Sequence, residues 1–259
     1  VLGADIDASA TATWNGGKGF APIVPALLNY YYYGPLTKTI PFAFDGLGHS
    51  IRNIYINRPD ESKVGLFGRL DVGRVENLKV TGIVSGLDSV GLIAGVVGHS
   101  DGCMYYCGAS TIEMTTFEGV SAAGSVRGRD YVGGIVGSGL TLISRSSAEV
   151  SVLGVTNVGG IIGAGGVSLS QSYSQGSVTG DANVGGLVGA VGPGQIDGWG
   201  AAAQISDSYS LATVAADAGP AGGLVGRSYG GLWGGYPDFK YLFGGESNWG
   251  TRWRACWPK

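Results

Sequence analysis

Three copies of one six-residue phrase recur at a fixed step: Val132-Gly133-Gly134-Ile135-Val136-Gly137, Val158-Gly159-Gly160-Ile161-Ile162-Gly163 and Val184-Gly185-Gly186-Leu187-Val188-Gly189, each start 26 residues after the last. A second phrase lies between them and keeps the same step, from 143–154 to 169–180. A sequence that repeats every ~20–50 residues makes one supersecondary unit per period, and each unit buries its apolar side only against its neighbours. The chain is therefore expected to fold as a solenoid, with equivalent residues stacked into rows.

The repeat extends in both directions. Val64-Gly65-Leu66-Phe67-Gly68 and Val90-Gly91-Leu92-Ile93 are 26 residues apart, but Val132 follows Val90 by 42. Ala221-Gly222-Gly223-Leu224-Val225-Gly226 follows Val184 by 37. Val75, Phe117, Ile143, Leu169 and Ile205 mark the second phrase at steps of 42, 26, 26 and 36. The surplus falls after a Gly phrase and before the next second phrase, at about 98–114 and 189–203. Both insertions leave the repeat at the same corner, so both are expected on one edge.

A repeat of 26 residues accommodates about three short strands and three turns, stacked at ~4.8 Å with backbone pairing between repeats. Ile135, Ile161, Leu187 and Leu224 form one expected interior row, and Val126, Val152, Val178 and Val214 another. Branched side chains fill a narrow interior without a large cavity. The Gly pairs predict tight corners or close approach between repeats. Ser146, Ser172 and Ser208 form a hydroxyl row suited to bonding turns.

Composition agrees. The chain has 50 Gly in 259 residues without a Gly-X-Y period, which excludes collagen. Apolar residues reach 44%, so this is no disordered Gly-rich tract. Charged residues are 14%, against ~25% in an average chain. Net charge is −3 with no basic run, so nucleic acid is not an expected partner. The longest charge-free stretch, 150–180, is broken throughout by Gly, Ser, Thr, Asn and Gln and does not read as a membrane span. Residue 1 is Val and no signal peptide is present, so a processed piece of a longer protein is expected.

Before the repeats, Leu2, Ile6 and Ala8 alternate with Asp5 and Asp7 in a strand-like pattern. Tyr30, Tyr31, Tyr32 and Tyr33 cannot all face one side of a strand. Residues 51–56 read as a strand with Ile51, Asn53 and Tyr55 on one face and Arg52, Ile54 and Ile56 on the other. After the repeats, 8 of the 26 aromatic residues crowd into 233–259. A solenoid end exposes strand edges and core, so 227–259 reads as a C-terminal cap; an aromatic ligand platform is the other reading. Cys103 and Cys107 are four apart, with no second Cys pair or His cluster to complete a zinc site. A disulfide between them suits a secreted protein and leaves Cys256 over, although three single pairings can be drawn.

Asp45-Gly46-Leu47-Gly48-His49-Ser50-Ile51-Arg52-Asn53-Ile54, the phrase at Val64, the Val-Gly-Gly copies at 132, 158 and 184, and the Ser-Tyr-Ser phrases at 172–174 and 208–210 resemble the GLUG-repeat proteins. These are bacterial secreted and surface proteins, many of them filamentous-haemagglutinin-like adhesins of the two-partner secretion type. The resemblance covers roughly residues 1–226 and implies a right-handed parallel β-helix with an extracellular, mostly adhesive role. It brings no catalytic residue from the repeat region. The tyrosine run, the insertion with Cys103 and Cys107 and the aromatic tail depart from the pattern.

Chemistry is sparse. Some GLUG-repeat chains carry a zinc protease domain, but His49 and His99 are the two histidines and neither sits in a His-Glu-x-x-His helix. His49 follows a turn and suits a turn-stabilising hydrogen bond. Asp5 and Asp7 read as a solvated strand face rather than a cation site, and Arg129-Asp130 as a solvated corner. Glu118, Arg145, Glu149, Gln171 and Asp207 are scattered over the repeats. Glu118 falls in register with Ser144, which places Arg145 one position off, on the opposite face. No catalytic, metal or cofactor site is expected.

The leading reading is an extracellular, non-catalytic adhesin-type module, secreted or on a bacterial cell surface. Its insertions carry Tyr105, Tyr106 and Trp199 for stacking on sugar rings, with Asp101, Gln195 and Asp197 to bond hydroxyls. The expected partner is a glycan or cell-surface component. The alternative is a structural subunit that stacks end to end into a filament, and a lesser one is a polysaccharide-cleaving enzyme.

Overall fold

The computed structural model describes residues 1–25, 42–98, 114–191 and 204–229. Within them the chain is all-β apart from one short 3-10 segment, Ser9–Gly17. Strands form three sheets, and neighbouring strands of each run parallel.

The first sheet stacks Ser50–Asn57, Lys79–Ser85, Ser121–Arg127, Ser147–Leu153 and Tyr173–Gly180, with Ile6–Asp7 at one end and Tyr209–Ser210 and Thr213–Ala216 at the other. The second is narrow and stacks Asp88–Gly91, Asp130–Gly133, Thr156–Gly159, Ala182–Gly185 and Ala221–Gly222. The third has two lanes. One holds Phe67–Leu70, Ala94–Val97, Val188–Val191 and Val225–Ser228; the other holds Phe42–Asp45, Gly73–Glu76, Thr115–Glu118 and Gln204–Ser206. Val136–Ser144 and Ile162–Ser170 run through both lanes.

The pairing follows the sequence period. Ser147 pairs with Tyr173, Asp130 with Thr156 and Val136 with Ile162. Each strand thus lies beside its equivalent one repeat on, and the chain visits the three sheets in turn. The expected interior rows form. Val126, Val152, Val178 and Val214 pair in succession, the first three buried. Ile135 donates its N–H to Ile161 O and Ile161 to Leu187 O, both at 2.9 Å, and Leu187 to Leu224 O at 2.8 Å. Burying each such side chain contributes about 1.5–3 kcal/mol. Leu224, in the last described repeat, is 36% exposed, whereas its three row-mates are sealed.

The glycines of the phrase serve close approach. A Cβ on Gly159 would collide with Ile162 O and lie 2.6 Å from Gly189 N. One on Gly163 would meet the backbone of Tyr131 and Val132. The narrow sheet therefore lies backbone to backbone on the two-lane sheet, at a separation no side chain permits.

Corners use two rows of left-handed residues. Lys63, Ser89, Tyr131, Asn157 and Asn183, each just before a Gly phrase, have φ between 55° and 64°. Asn77, Gly119, Arg145, Gln171 and Asp207 form the second such row, with φ between 48° and 62°. The non-glycine members each cost roughly 1–2 kcal/mol, which the surrounding pairing offsets.

Three local expectations need correction. Strand Ser50–Asn57 carries a bulge between Ile51 and Ile54, where Asn53 takes φ +61°. The bulge resets the alternation, so Ile51, Ile54 and Ile56 all face the core. Arg145 does not lie opposite Glu118. Its left-handed conformation turns the side chain back, and the two form an ion pair. At the N-terminus Leu2 and Ala8 are buried but Ile6 is exposed, and the strand there is only Ile6–Asp7.

Candidate functional site

The residues singled out from sequence as ligand contacts, Asp101, Tyr105, Tyr106, Gln195, Asp197 and Trp199, lie outside the described residues, as do Cys103, Cys107, Cys256, His99, the tyrosine run and 230–259. What the structure places is where their segments depart. The chain leaves the first lane of the two-lane sheet after Val97 and again after Val191. These residues pair with Gly139 and Gly165, which pair with each other. It re-enters in the second lane at Thr115, beside Thr141, and at Gln204, beside Ser168. Residues 26–41 are flanked likewise: Ile23 bridges to Phe67 in the first lane, and Phe42 pairs with Gly73 in the second. Three segments thus depart from one line, the seam between the lanes. Where Val136–Ser144 and Ile162–Ser170 run across that seam, Gly139 and Gly165 carry the chain with φ of 134° and 147°, and between Leu70 and Gly73 the crossing is made by Asp71 and Val72.

The corner between the two-lane sheet and the first sheet is held by serines. Ser146 N–H donates to Ser172 Oγ and Ser172 N–H to Ser208 Oγ, both at 3.1 Å. Each hydroxyl donates back two residues, Ser146 to Ser144 O and Ser172 to Ser170 O at 2.7 Å, and Ser208 to Ser206 O at 2.8 Å. Every hydroxyl of the row is engaged, so its role is structural.

Charge is organised at corners as well. Arg129 donates to both oxygens of Asp88, at 3.0 and 2.6 Å, and also approaches Asp130. Asp45, Glu76 and Glu118 stack in register. Arg74 pairs with both glutamates, and Arg145 with Glu118. Leu47 N–H and Asn77 Nδ2 donate to Asp45 and hold its carboxyl below the ordinary aspartate range. Asp5 accepts from Ser50 N–H at 2.9 Å and lies 3.4 Å from both His49 and Arg52; its carboxyl is also lowered, chiefly by the Ser50 backbone bond. Asp7 accepts from Asn53 Nδ2 and Ser9 N–H, in that order of effect, and is lowered too. Asp5 and Asp7 tie the entry segment to the first full repeat. The His49 N–H donates to Gly46 O at 2.8 Å, closing the turn.

Beside the second insertion, Asn183 Nδ2 donates to Asn157 Oδ1 at 2.9 Å and approaches Tyr229 Oη at 3.3 Å. The Arg227 guanidinium lies 4.5 Å from the Tyr229 ring centroid. Burial, then Asp130, Tyr229 and Asp88, push the Tyr131 phenol up. Among the described residues no group of three or more His, Cys, Asp or Glu could hold a metal ion, and no helix is long and apolar enough to cross a membrane.

An aromatic pair that sequence reasoning passed over lies on the outer face of the first sheet. Tyr173 and Tyr209 are in register, with rings stacked at 5.4 Å and 7°. Tyr173 Oη donates to Glu149 Oε1 at 3.2 Å. The signal was present: Ser-Tyr-Ser recurs at 172–174 and 208–210, which stacks the two rings.

No family model matches the chain. Over 141 residues it is 38% identical to halomucin of Haloquadratum walsbyi, a match that covers 53% of this chain and 1% of halomucin. The chain thus spans about 1% of that protein's length. Among solved structures it is similar to a Bacteroides ovatus protein provisionally assigned as an immunoglobulin A1 protease, with a TM-score of 0.50 and 20% identity over 82% of this chain and 69% of that one. At that identity the likeness concerns the fold alone.

Proposed function

We propose that the three sheets are the faces of one right-handed parallel β-helix of the GLUG-repeat type. We propose further that the chain is an extracellular, non-catalytic binding module, secreted or displayed on a bacterial surface, that presents its insertions to a glycan or another surface component. The observation that carries this reading is the single seam from which 26–41, 99–113 and 192–203 depart, because binding sites on repeat scaffolds are built by loops leaving one edge. Those segments bring Tyr105, Tyr106 and Trp199 for ring stacking and Asp101, Gln195 and Asp197 for hydroxyls. Similarity over half the chain to a protein with mucin in its name fits an extracellular setting. Asp45, Glu76, Asp88 and Glu118 are engaged by arginines, amides or backbone N–H at corners, which favours binding over hydrolysis there. The test is a glycan panel probed with the wild type and with a variant carrying Tyr105→Ala, Tyr106→Ala and Trp199→Ala. Loss of binding in a folded variant supports the reading; undiminished binding refutes the insertion edge as the site.

A second reading, end-to-end assembly, draws on the last described repeat. Leu224 and Val225 are less sealed than their row-mates, and a further repeat or residues 227–259 would cover them. Fibres at high protein concentration would favour assembly; a monomer at all concentrations would favour the cap.

A further inference from the structure

We propose that the Tyr173–Tyr209 pair on the outer face of the first sheet is a second carbohydrate-contact site, selective for neutral sugars. It rests on the binding-module reading only for the class of ligand; the site is on another sheet from the insertions and has its own test. Four observations meet there. Tyr209 is 51% exposed although it stacks on Tyr173, so much of it is left for a ligand. Tyr173 is fixed twice, by that stacking and by its bond to Glu149, so little rotamer freedom remains to be lost on binding. Gln175 pairs in register with Glu149 and is exposed, and its side chain makes no hydrogen bond with a described residue, which leaves its amide for a ligand. Ser151 and Ser177, one position further along the same face, bond each other at 2.9 Å and extend a flat hydroxyl surface.

Rigid aromatic surface, a free amide, a carboxylate oxygen and hydroxyls at neighbouring strand positions match what a sugar ring offers: C–H bonds on its faces and hydroxyls at its rim. The sign of charge narrows the ligand. Glu149 forms no ion pair with a described residue and would repel a uronate or sialate carboxyl. A neutral oligosaccharide meets no such penalty. A purely structural aromatic pair would stabilise the sheet and contribute nothing to binding.

The experiment measures binding of short gluco-, galacto- and manno-oligosaccharides and of oligogalacturonate to the full chain. It compares the wild type, Tyr173→Ala with Tyr209→Ala, Glu149→Gln, and the triple alanine variant at Tyr105, Tyr106 and Trp199. The expected result is a neutral oligosaccharide whose affinity falls about tenfold or more in the tyrosine variant and is kept in the insertion variant, with oligogalacturonate gaining affinity in Glu149→Gln. Loss in the insertion variant alone overturns this site and leaves the proposed function standing. A wild type that binds none of the sugars overturns both. If the double variant does not fold, Tyr209→Ala alone and the ring resonances of Tyr173 and Tyr209 during sugar titration decide: unshifted rings overturn the site.

Discussion

Replacing Ser172 with Ala removes one atom, Oγ, from a corner buried beneath the surface. Ser172 is 1% exposed and Ser146 3%. The lost hydroxyl accepts from Ser146 N–H and donates to Ser170 O. Ser170 O keeps a second donor, the N–H of Arg145 at 3.2 Å. Ser146 N–H has no such reserve and becomes a buried unpaired donor, which costs about 1–3 kcal/mol. Ser208→Ala is the internal control. It deprives Ser172 N–H of its acceptor in the same way, but Ser208 is half-buried in the last described repeat, where water reaches. Its cost should stay under about 1 kcal/mol. Urea denaturation followed by circular dichroism measures both. Because repeat arrays can lose cooperativity, amide exchange at Ser146 gives the local value, and protection there should fall by about tenfold or more in Ser172→Ala. A change below about 0.5 kcal/mol at Ser172 would refute the claim that the row is an obligatory ladder, and equal losses for the two variants would refute the part given to water at Ser208.

Gly159→Ala should destabilise by at least about 2 kcal/mol, since the new Cβ meets rigid backbone from Ile162 and Gly189; soluble yield and thermal melting check it. Ile161→Ala should cost about 2–5 kcal/mol and Leu224→Ala much less, because only the first creates a sealed cavity; urea midpoints compare them. Asp5, Asp7 and Asp45 have folded values below the ordinary 3.8, so their contribution is present above that pH and lost as pH falls through 3.8 and below. Limited proteolysis should then cut the entry segment first in acid, and Asp5→Asn should blunt the change. Mass spectrometry of the unreduced protein should find Cys103 joined to Cys107; free thiols at both would count against an extracellular setting.

The register was legible because the period is constant. Once 26 residues separate Ile135 from Ile161, backbone pairing leaves no other row for them. The corners were less legible. Lys63, Ser89, Tyr131, Asn157 and Asn183 share one left-handed conformation, yet of their types only Asn favours it. The conformation is imposed by the stack rather than chosen by the residue, so composition does not announce it. Arg145 was misplaced for that reason: alternation holds along a strand and fails at the residue that turns the corner. The bulge at Asn53 escaped for a related one. Ile51, Ile54 and Ile56 cannot share a face of a regular strand, and that conflict was itself the clue to an extra residue. The tyrosine pair was visible as a recurring phrase, but its meaning depends on which face of the sheet it occupies.

The placement of the insertions has a physical cause. Inside Ser147–Leu153 an added residue would shift every later side chain to the wrong face and break seven consecutive pairings on each side. At the lane seam the cost is far smaller. Gly139 and Gly165 already depart there from extended geometry, and the lanes on either side pair independently in the repeats that carry insertions. Once the ladder is open at one point, lengthening the loop costs only ~0.6 kcal/mol per doubling. Long segments therefore accumulate at the seam and not elsewhere, and the core rows on both sides keep their register. That division explains how the three segments can differ in length and composition while the repeats between them stay nearly uniform. It also sets the points where three aromatic-bearing segments leave the sheets along one line.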